Sequence, residues 1–155
     1  METRPERAER LFKEGYNCSQ AVFMAYSDKY GIDEGMASRL SASFGGGMGR
    51  MREVCGAVSG MFLVAGLETG AEEGKDSEAK KHNYEIVQQL AEAYRKENGS
   101  IICRELLGLE ENTPVQATPE ERTKEYYKKR PCAELVRQAA EILEKTLFSQ
   151  EGSEA

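Results

Sequence analysis

The residues of this chain best suited to chemistry are its four cysteines. Each follows, within a few residues, a signal that begins a helix: Cys18, Cys55, Cys103 and Cys132. The exposed N–H groups and the dipole of a helix's first turn stabilise an anion, so a cysteine placed there loses its proton more easily. Because redox chemistry and metal binding both use a deprotonated sulfur, we predict that all four are catalytic or metal-binding cysteines.

The cysteines lie far apart along the chain. Their separations of 37, 48 and 29 residues contain no C-x-x-C pair, so neither a zinc ribbon nor a thioredoxin-type site is indicated locally. A shared site must therefore be assembled by the tertiary fold. Four thiolates at converging helix ends would hold zinc or an iron–sulfur cluster, or would pair into reversible disulfides. The alternative is that each cysteine only fills space in the core, where this residue type is common.

Composition limits the class of protein. A chain of 155 residues fits one domain, and its formal net charge of −6 argues against nucleic acid as the main partner. Residues 1–10 are charged, unlike a signal peptide, and no stretch reaches the roughly 18 apolar residues of a membrane helix. We therefore expect a cytoplasmic protein with no membrane partner, in which the cysteines are not permanent disulfides. His82, the only histidine, lies in a polar stretch typical of a surface residue.

Helix signals recur along the whole chain, whereas no alternating strand pattern does. We predict an all-α fold, a compact single-domain bundle of about six to seven helices over residues 1–149, with 150–155 as a frayed tail. The predicted segments are 5–14, a helix from Cys18 after the N-cap Asn17, a helix after Asp33, 53–67, 77–98, 101–107, a helix from Pro119 and a helix from Pro131.

A glycine-rich loop precedes the central predicted helix, 53–67. The predicted cofactor-binding residues in this loop are Gly45, Gly46, Gly47 and Gly49. Their N–H groups could form a nest for a phosphate or a cluster sulfide, although a tight turn would also use glycine here. Arg50 and Arg52 are expected to lower the pKa of Cys55. Gly56 and Gly60 lie four apart and would let another backbone approach closely, either within the chain or in a homodimer.

Several segments together resemble a known family, the redox-active proteins named for a C…CGAxxG…C…C pattern. The matching segments are 17–22 (NCSQAV), 44–50 (FGGGMGR), 55–60 (CGAVSG), 103–108 (CRELLG) and the late Cys132. The resemblance runs from about Lys13 to Leu147. It implies a small bacterial or archaeal helical protein with a cysteine-based redox role, or with an iron–sulfur or other metal site.

Three functions follow from these patterns. The first is a redox-active protein whose four sulfurs meet at one site and hold an iron–sulfur cluster or another metal such as zinc. It is preferred because disulfide exchange would use only two of the four sulfurs. The second is a metal-free thiol–disulfide oxidoreductase or redox sensor, and the third is a structural or partner-binding helical module. The redox partner, and whether the chain is an enzyme, stay open.

Overall fold

The computed structural model describes residues 1–149, apart from the side chain of Lys129. Its helices are α1 (Arg4–Lys13), α2 (Cys18–Met24), α3 (Glu34–Ser41), α4 (Gly56–Thr69), α5 (Ser77–Asn98), α6 (Cys103–Leu106), α7 (Lys124–Lys129) and α8 (Cys132–Leu147), with 3-10 turns at Ser27–Tyr30 and Ala42–Phe44. This range contains no β-strand, only an isolated antiparallel bridge between Val54 and Ile102. The all-α prediction is confirmed, and the predicted tail 150–155 lies outside the described residues.

Local capping signals explain where several helices begin. Asn17 and Gln20 form the predicted capping box of α2, since each side chain accepts the other residue's N–H at 2.9 Å. Asp33 caps α3, and its side chain accepts the N–H of Met36 at 2.8 Å. The span predicted for α5 coincides with the observed helix. These starts depend on contacts within one turn, which is why the sequence predicts them well.

The start predicted for α7 is wrong. The helix begins at Lys124 rather than at Pro119, and its cap is Thr123, whose hydroxyl accepts the N–H of Tyr126 at 3.1 Å. The preceding residues are held by tertiary contacts instead, because Arg50 binds the carbonyl of Thr118. Segment 109–123 therefore forms an irregular strap between α6 and α7.

Helix α4 is the buried centre of the fold and packs against α2, α5 and α8. At Gly60, an added Cβ would lie 2.8 Å from the Cβ of Val22 and 3.0 Å from the carbonyl oxygen of Ser19. The close approach predicted for this glycine is thus confirmed, and its partner is α2 of the same chain. This face of α4 is therefore covered by α2 of the same chain, and the homodimer stays a prediction.

The remaining helices enclose this centre. Helix α8 packs on α1 and also contacts α2, α4 and α5. None of the helices described within residues 1–149 combines the length and apolar character needed to cross a membrane. His82 is exposed on α5, as expected from its polar neighbours.

Candidate active site

All four cysteines lie where helices begin, and all four line one cavity of about 290 Å³. Cys18, Cys103 and Cys132 are the first residues of their helices, and Cys55 is the N-cap of α4. Each is a free thiol in the described chain. The fold therefore brings residues that are distant in sequence to the wall of a single pocket.

Backbone pairing places Cys55 beside Cys103. The N–H of Cys55 donates to the carbonyl of Ile101 at 2.8 Å, and the N–H of Cys103 donates to the carbonyl of Glu53 at 2.6 Å. These bonds flank the isolated bridge between Val54 and Ile102. Because residues 53–55 pair in this way, α4 begins at Gly56 rather than at the predicted residue 53, and two helix starts face the same cavity.

The glycine loop packs tightly against this pair. Gly47 has φ +71°, and an added Cβ would lie 2.6 Å from the Cβ of Cys103, so the position requires glycine. Gly49 donates its N–H to the carbonyl of Ser43 at 2.8 Å, and every N–H from residue 48 to 53 donates to a carbonyl of the same segment. An anion nest at Gly49 is therefore not formed. All four loop glycines line the cavity, and their role in holding a cofactor stays a prediction.

Cys18 and Cys132 both line this cavity, and a hydrogen bond between their thiols is the largest cause of the shift in the pKa of each. The bond from Cys18 lowers the pKa of Cys132, and the positive charges of Arg130, Arg122 and Arg52 lower it further, against the opposing effect of burial. The same bond, together with burial, raises the pKa of Cys18. The pair is asymmetric, with the thiolate favoured on Cys132 and the proton on Cys18.

The other two cysteines are buried thiols. Burial raises the pKa of Cys55, whose Sγ lies 3.4 Å from the hydroxyl oxygen of the buried Tyr94. Burial also raises the pKa of Cys103, although Arg52 donates to its Sγ at 3.7 Å and opposes that effect. The expectation that every helix start would favour a thiolate is thus wrong for Cys18, Cys55 and Cys103. Helix ends supply a modest stabilisation of the thiolate, which burial outweighs at Cys55 and Cys103 and which the Cys132 interaction and burial together outweigh at Cys18.

A family model described as "Putative redox-active protein (C_GCAxxG_C_C)" matches residues 16–146, a span that includes all four cysteines. The chain belongs to this redox-active family. The family description writes its motif G-C-A-x-x-G, so the C-G-A-x-x-G order expected for the family name is wrong. This chain reads Cys55-Gly56-Ala57-x-x-Gly60, with the first two residue types in the opposite order. No curated protein and no solved structure matches the chain.

In this member of the redox-active family the cavity is rich in positive charge. Four arginines and one glutamate line it: Arg50, Arg52, Arg122, Arg130 and Glu120. Glu120 binds Arg130 and lies 3.9 Å from Arg50, so these two cations share one carboxylate. Within residues 1–149 neither Arg52 nor Arg122 has a carboxylate partner. Arg122 instead donates to the carbonyls of Phe12 and Tyr16 at 3.0 and 3.1 Å.

Sequence reasoning placed two arginines differently and missed two others. Arg50 and Arg52 were expected to act on Cys55, yet Arg52 contacts Cys103 and Arg50 binds the strap. Arg130 ends the basic run 124–130, which is typical of a solvated helix face, and no sequence pattern singles out Arg122. One local signal was available, since Arg130 lies two residues before the helix-starting Cys132.

The cysteine arrangement does not form a metal-ligand group. Among the described residues, no three side chains of cysteine, histidine, aspartate or glutamate are placed to hold one metal ion. Thiolates are suitable donors for zinc and for iron–sulfur clusters, so the donor type fits and the placement does not. The predicted convergence on a metal is not confirmed, and the redox-active family assignment does not depend on it.

Proposed function

We propose that this chain is a metal-free thiol–disulfide redox protein in which Cys132 attacks and Cys18 resolves. Two observations support it: Cys18 and Cys132 line the same cavity, and each thiol is the largest cause of the shift in the other's pKa. Exchange needs an accessible thiolate and a second sulfur close enough to displace the first product. Both residues of the pair are partly exposed, whereas Cys55 and Cys103 are buried.

The reaction follows from this asymmetry. The Cys132 thiolate attacks one sulfur of a substrate disulfide, its S–S bond breaks, and the departing thiolate takes the proton that Cys18 gives up. The Cys18 thiolate then attacks Sγ of Cys132 in the mixed disulfide and releases the second substrate thiolate. The substrate gains two electrons, and the protein ends with a Cys18–Cys132 disulfide. The reverse sequence oxidises a dithiol substrate.

Cys55 and Cys103 transfer no electrons in this proposal and act as positioning residues. Their raised pKa values keep both thiols protonated at neutral pH. Cys103 accepts the Arg52 hydrogen bond and so holds that guanidinium next to the reacting pair. Cys55 Sγ gives the buried hydroxyl of Tyr94 a hydrogen-bond partner inside the core.

A bound iron–sulfur cluster or zinc ion is the second candidate, favoured by the presence of four sulfurs around one cavity. Such a group would supply electron transfer in the first case and structural cross-linking in the second. At least three of the sulfurs would have to move closer together than they lie in the described arrangement.

One experiment separates the two candidates. Protein purified without oxygen is analysed for iron, zinc and visible absorbance, then oxidised with one equivalent of bis(2-hydroxyethyl) disulfide and mapped by peptide mass spectrometry. The proposal predicts a Cys18–Cys132 disulfide, a mixed disulfide trapped on Cys132 in Cys18→Ser, and no mixed disulfide in Cys132→Ser. Cys103→Ser is the matched control and should still form the pair. Stoichiometric metal, or a disulfide between other cysteines, would overturn the proposal.

A further inference from the structure

We propose that the cavity selects small anionic disulfides, molecules in which a carboxylate lies a few bonds from the sulfur attacked by Cys132. This inference rests on the proposed thiol–disulfide function and names its substrate class. It is argued from the charge, size and lining of the cavity.

The charge of the cavity is opposite to that of the whole protein. The chain carries a formal net charge of −6, yet four arginines and a single glutamate line this pocket. Two of those arginines, Arg52 and Arg122, have no carboxylate partner within residues 1–149, and the nearby Arg50 and Arg130 share Glu120. Positive charge concentrated in a cleft raises the local concentration of anions and their rate of entry.

Arg52 is the guanidinium best placed to meet a substrate. Its one side-chain hydrogen bond among the described residues runs to Cys103 Sγ at 3.7 Å, a long contact to a weak acceptor. The remaining donors of a guanidinium suit a carboxylate, which accepts two parallel hydrogen bonds. Its backbone has φ +62°, an uncommon conformation for a residue with a side chain, and Arg50 in the same loop has φ +64°. The loop therefore holds both arginines in a backbone conformation that residues other than glycine rarely adopt.

The size and remaining lining of the cavity favour a small molecule. A volume of about 290 Å³ lies at the lower end of small-ligand sites. Its apolar wall is formed by Phe12, Leu106, Leu107, Pro119, Tyr126 and Leu135. These side chains would contact the methylene groups of a short chain, while the arginines bind its acidic end. The pocket thus fits a compact carboxylate-bearing disulfide in both shape and charge.

Three symmetrical disulfides with the same two-carbon arms test the inference. They are 3,3′-dithiodipropionate, bis(2-hydroxyethyl) disulfide and cystamine, which bear carboxylate, hydroxyl and ammonium groups. The rate at which each converts reduced protein to the Cys18–Cys132 disulfide is measured by acid quenching and mass spectrometry. Each rate is divided by the rate of the same probe with free 2-mercaptoethanol, because the three departing thiols differ in acidity. We expect the relative rate of the dianion to be about tenfold or more above that of the neutral probe, and that of the dication to be the lowest. The difference should shrink as salt is raised.

Arg52→Gln should lower the ratio of the anion rate to the cation rate by at least about fivefold, and Arg52→Lys should retain most of it. The ratio is the readout because it cancels any change in the reactivity of Cys132 itself. Arg39→Gln removes one exposed charge that does not line the cavity and should leave the ratio unchanged. Equal relative rates for the three probes would overturn the inference and leave the proposed function standing. Failure of all three probes to form the Cys18–Cys132 disulfide would overturn the proposed function as well.

Discussion

Replacing Cys18 with alanine should make Cys132 a poorer nucleophile at mildly acidic pH. The bond from Cys18 is the largest cause of the lowered pKa of Cys132. A hydrogen bond to a charged group is worth about 1.5–3 kcal/mol, so its loss should reduce the ionisation constant of Cys132 roughly ten- to hundredfold. A more basic thiolate is intrinsically more reactive, with a Brønsted slope of about 0.4–0.5. On a logarithmic scale, this gain offsets about half of the fall in rate caused by the smaller fraction of thiolate. The expected net fall in rate is therefore roughly three- to tenfold.

The assay is alkylation of Cys132 by iodoacetamide at about pH 6, where the thiolate is the minor form of an ordinary cysteine. Peptide mass spectrometry follows Cys132 separately from the buried thiols. Cys18→Ser is the matched control, because its hydroxyl still donates to the Cys132 thiolate, and its rate should fall less than that of Cys18→Ala. An unchanged or faster rate in Cys18→Ala would refute the assignment of Cys18 as the group that stabilises the thiolate.

Two further predictions concern stability. Burial raises the pKa of Cys55 in the folded state. Above about pH 8.5 the unfolded chain therefore loses a proton that the native protein keeps. As a result, the free energy of unfolding falls as pH rises. Urea titrations across that range should show a shallower fall for Cys55→Ala, and an equal slope would contradict the burial effect. Gly47→Ala should cost about 2 kcal/mol or more, because its φ of +71° is combined with a 2.6 Å approach to Cys103. Gly49→Ala, with φ +58° and its nearest atom at 3.9 Å, should cost only about 1–2 kcal/mol in the same urea assay.

The sequence predicts the parts of this fold that depend on neighbours along the chain. The capping box at Asn17 lies within a single turn, and it sets the position of Cys18. The spacing of Gly56 and Gly60 predicts a close helix contact, although the pattern alone does not say whether the partner belongs to the same chain. The tertiary fold supplies that answer by placing α2 against both glycines.

Features that depend on distant residues could not be read from local patterns. The capping signal at Thr118 and Pro119 is well formed, yet Arg50 binds the Thr118 carbonyl and the helix begins later. The direction in which each thiol's pKa shifts is likewise set by neighbours from other parts of the chain. Arg130 is close to Cys132 in sequence, but Arg52, whose charge also lowers the pKa of Cys132, lies 80 residues away along the chain.

The four cysteines share one local position and differ in chemistry because their surroundings differ. Each begins a helix or caps it, so the helix end alone would make them equivalent. Cys55 and Cys103 are buried against a tyrosine hydroxyl and a single guanidinium, and the neutral thiol is favoured in both. Cys132 instead combines a thiol donor with three arginines while remaining partly exposed. A division into one reactive pair and two supporting thiols therefore gives all four cysteines a role without requiring four equal ligands, and it answers the objection that disulfide exchange leaves two sulfurs unused.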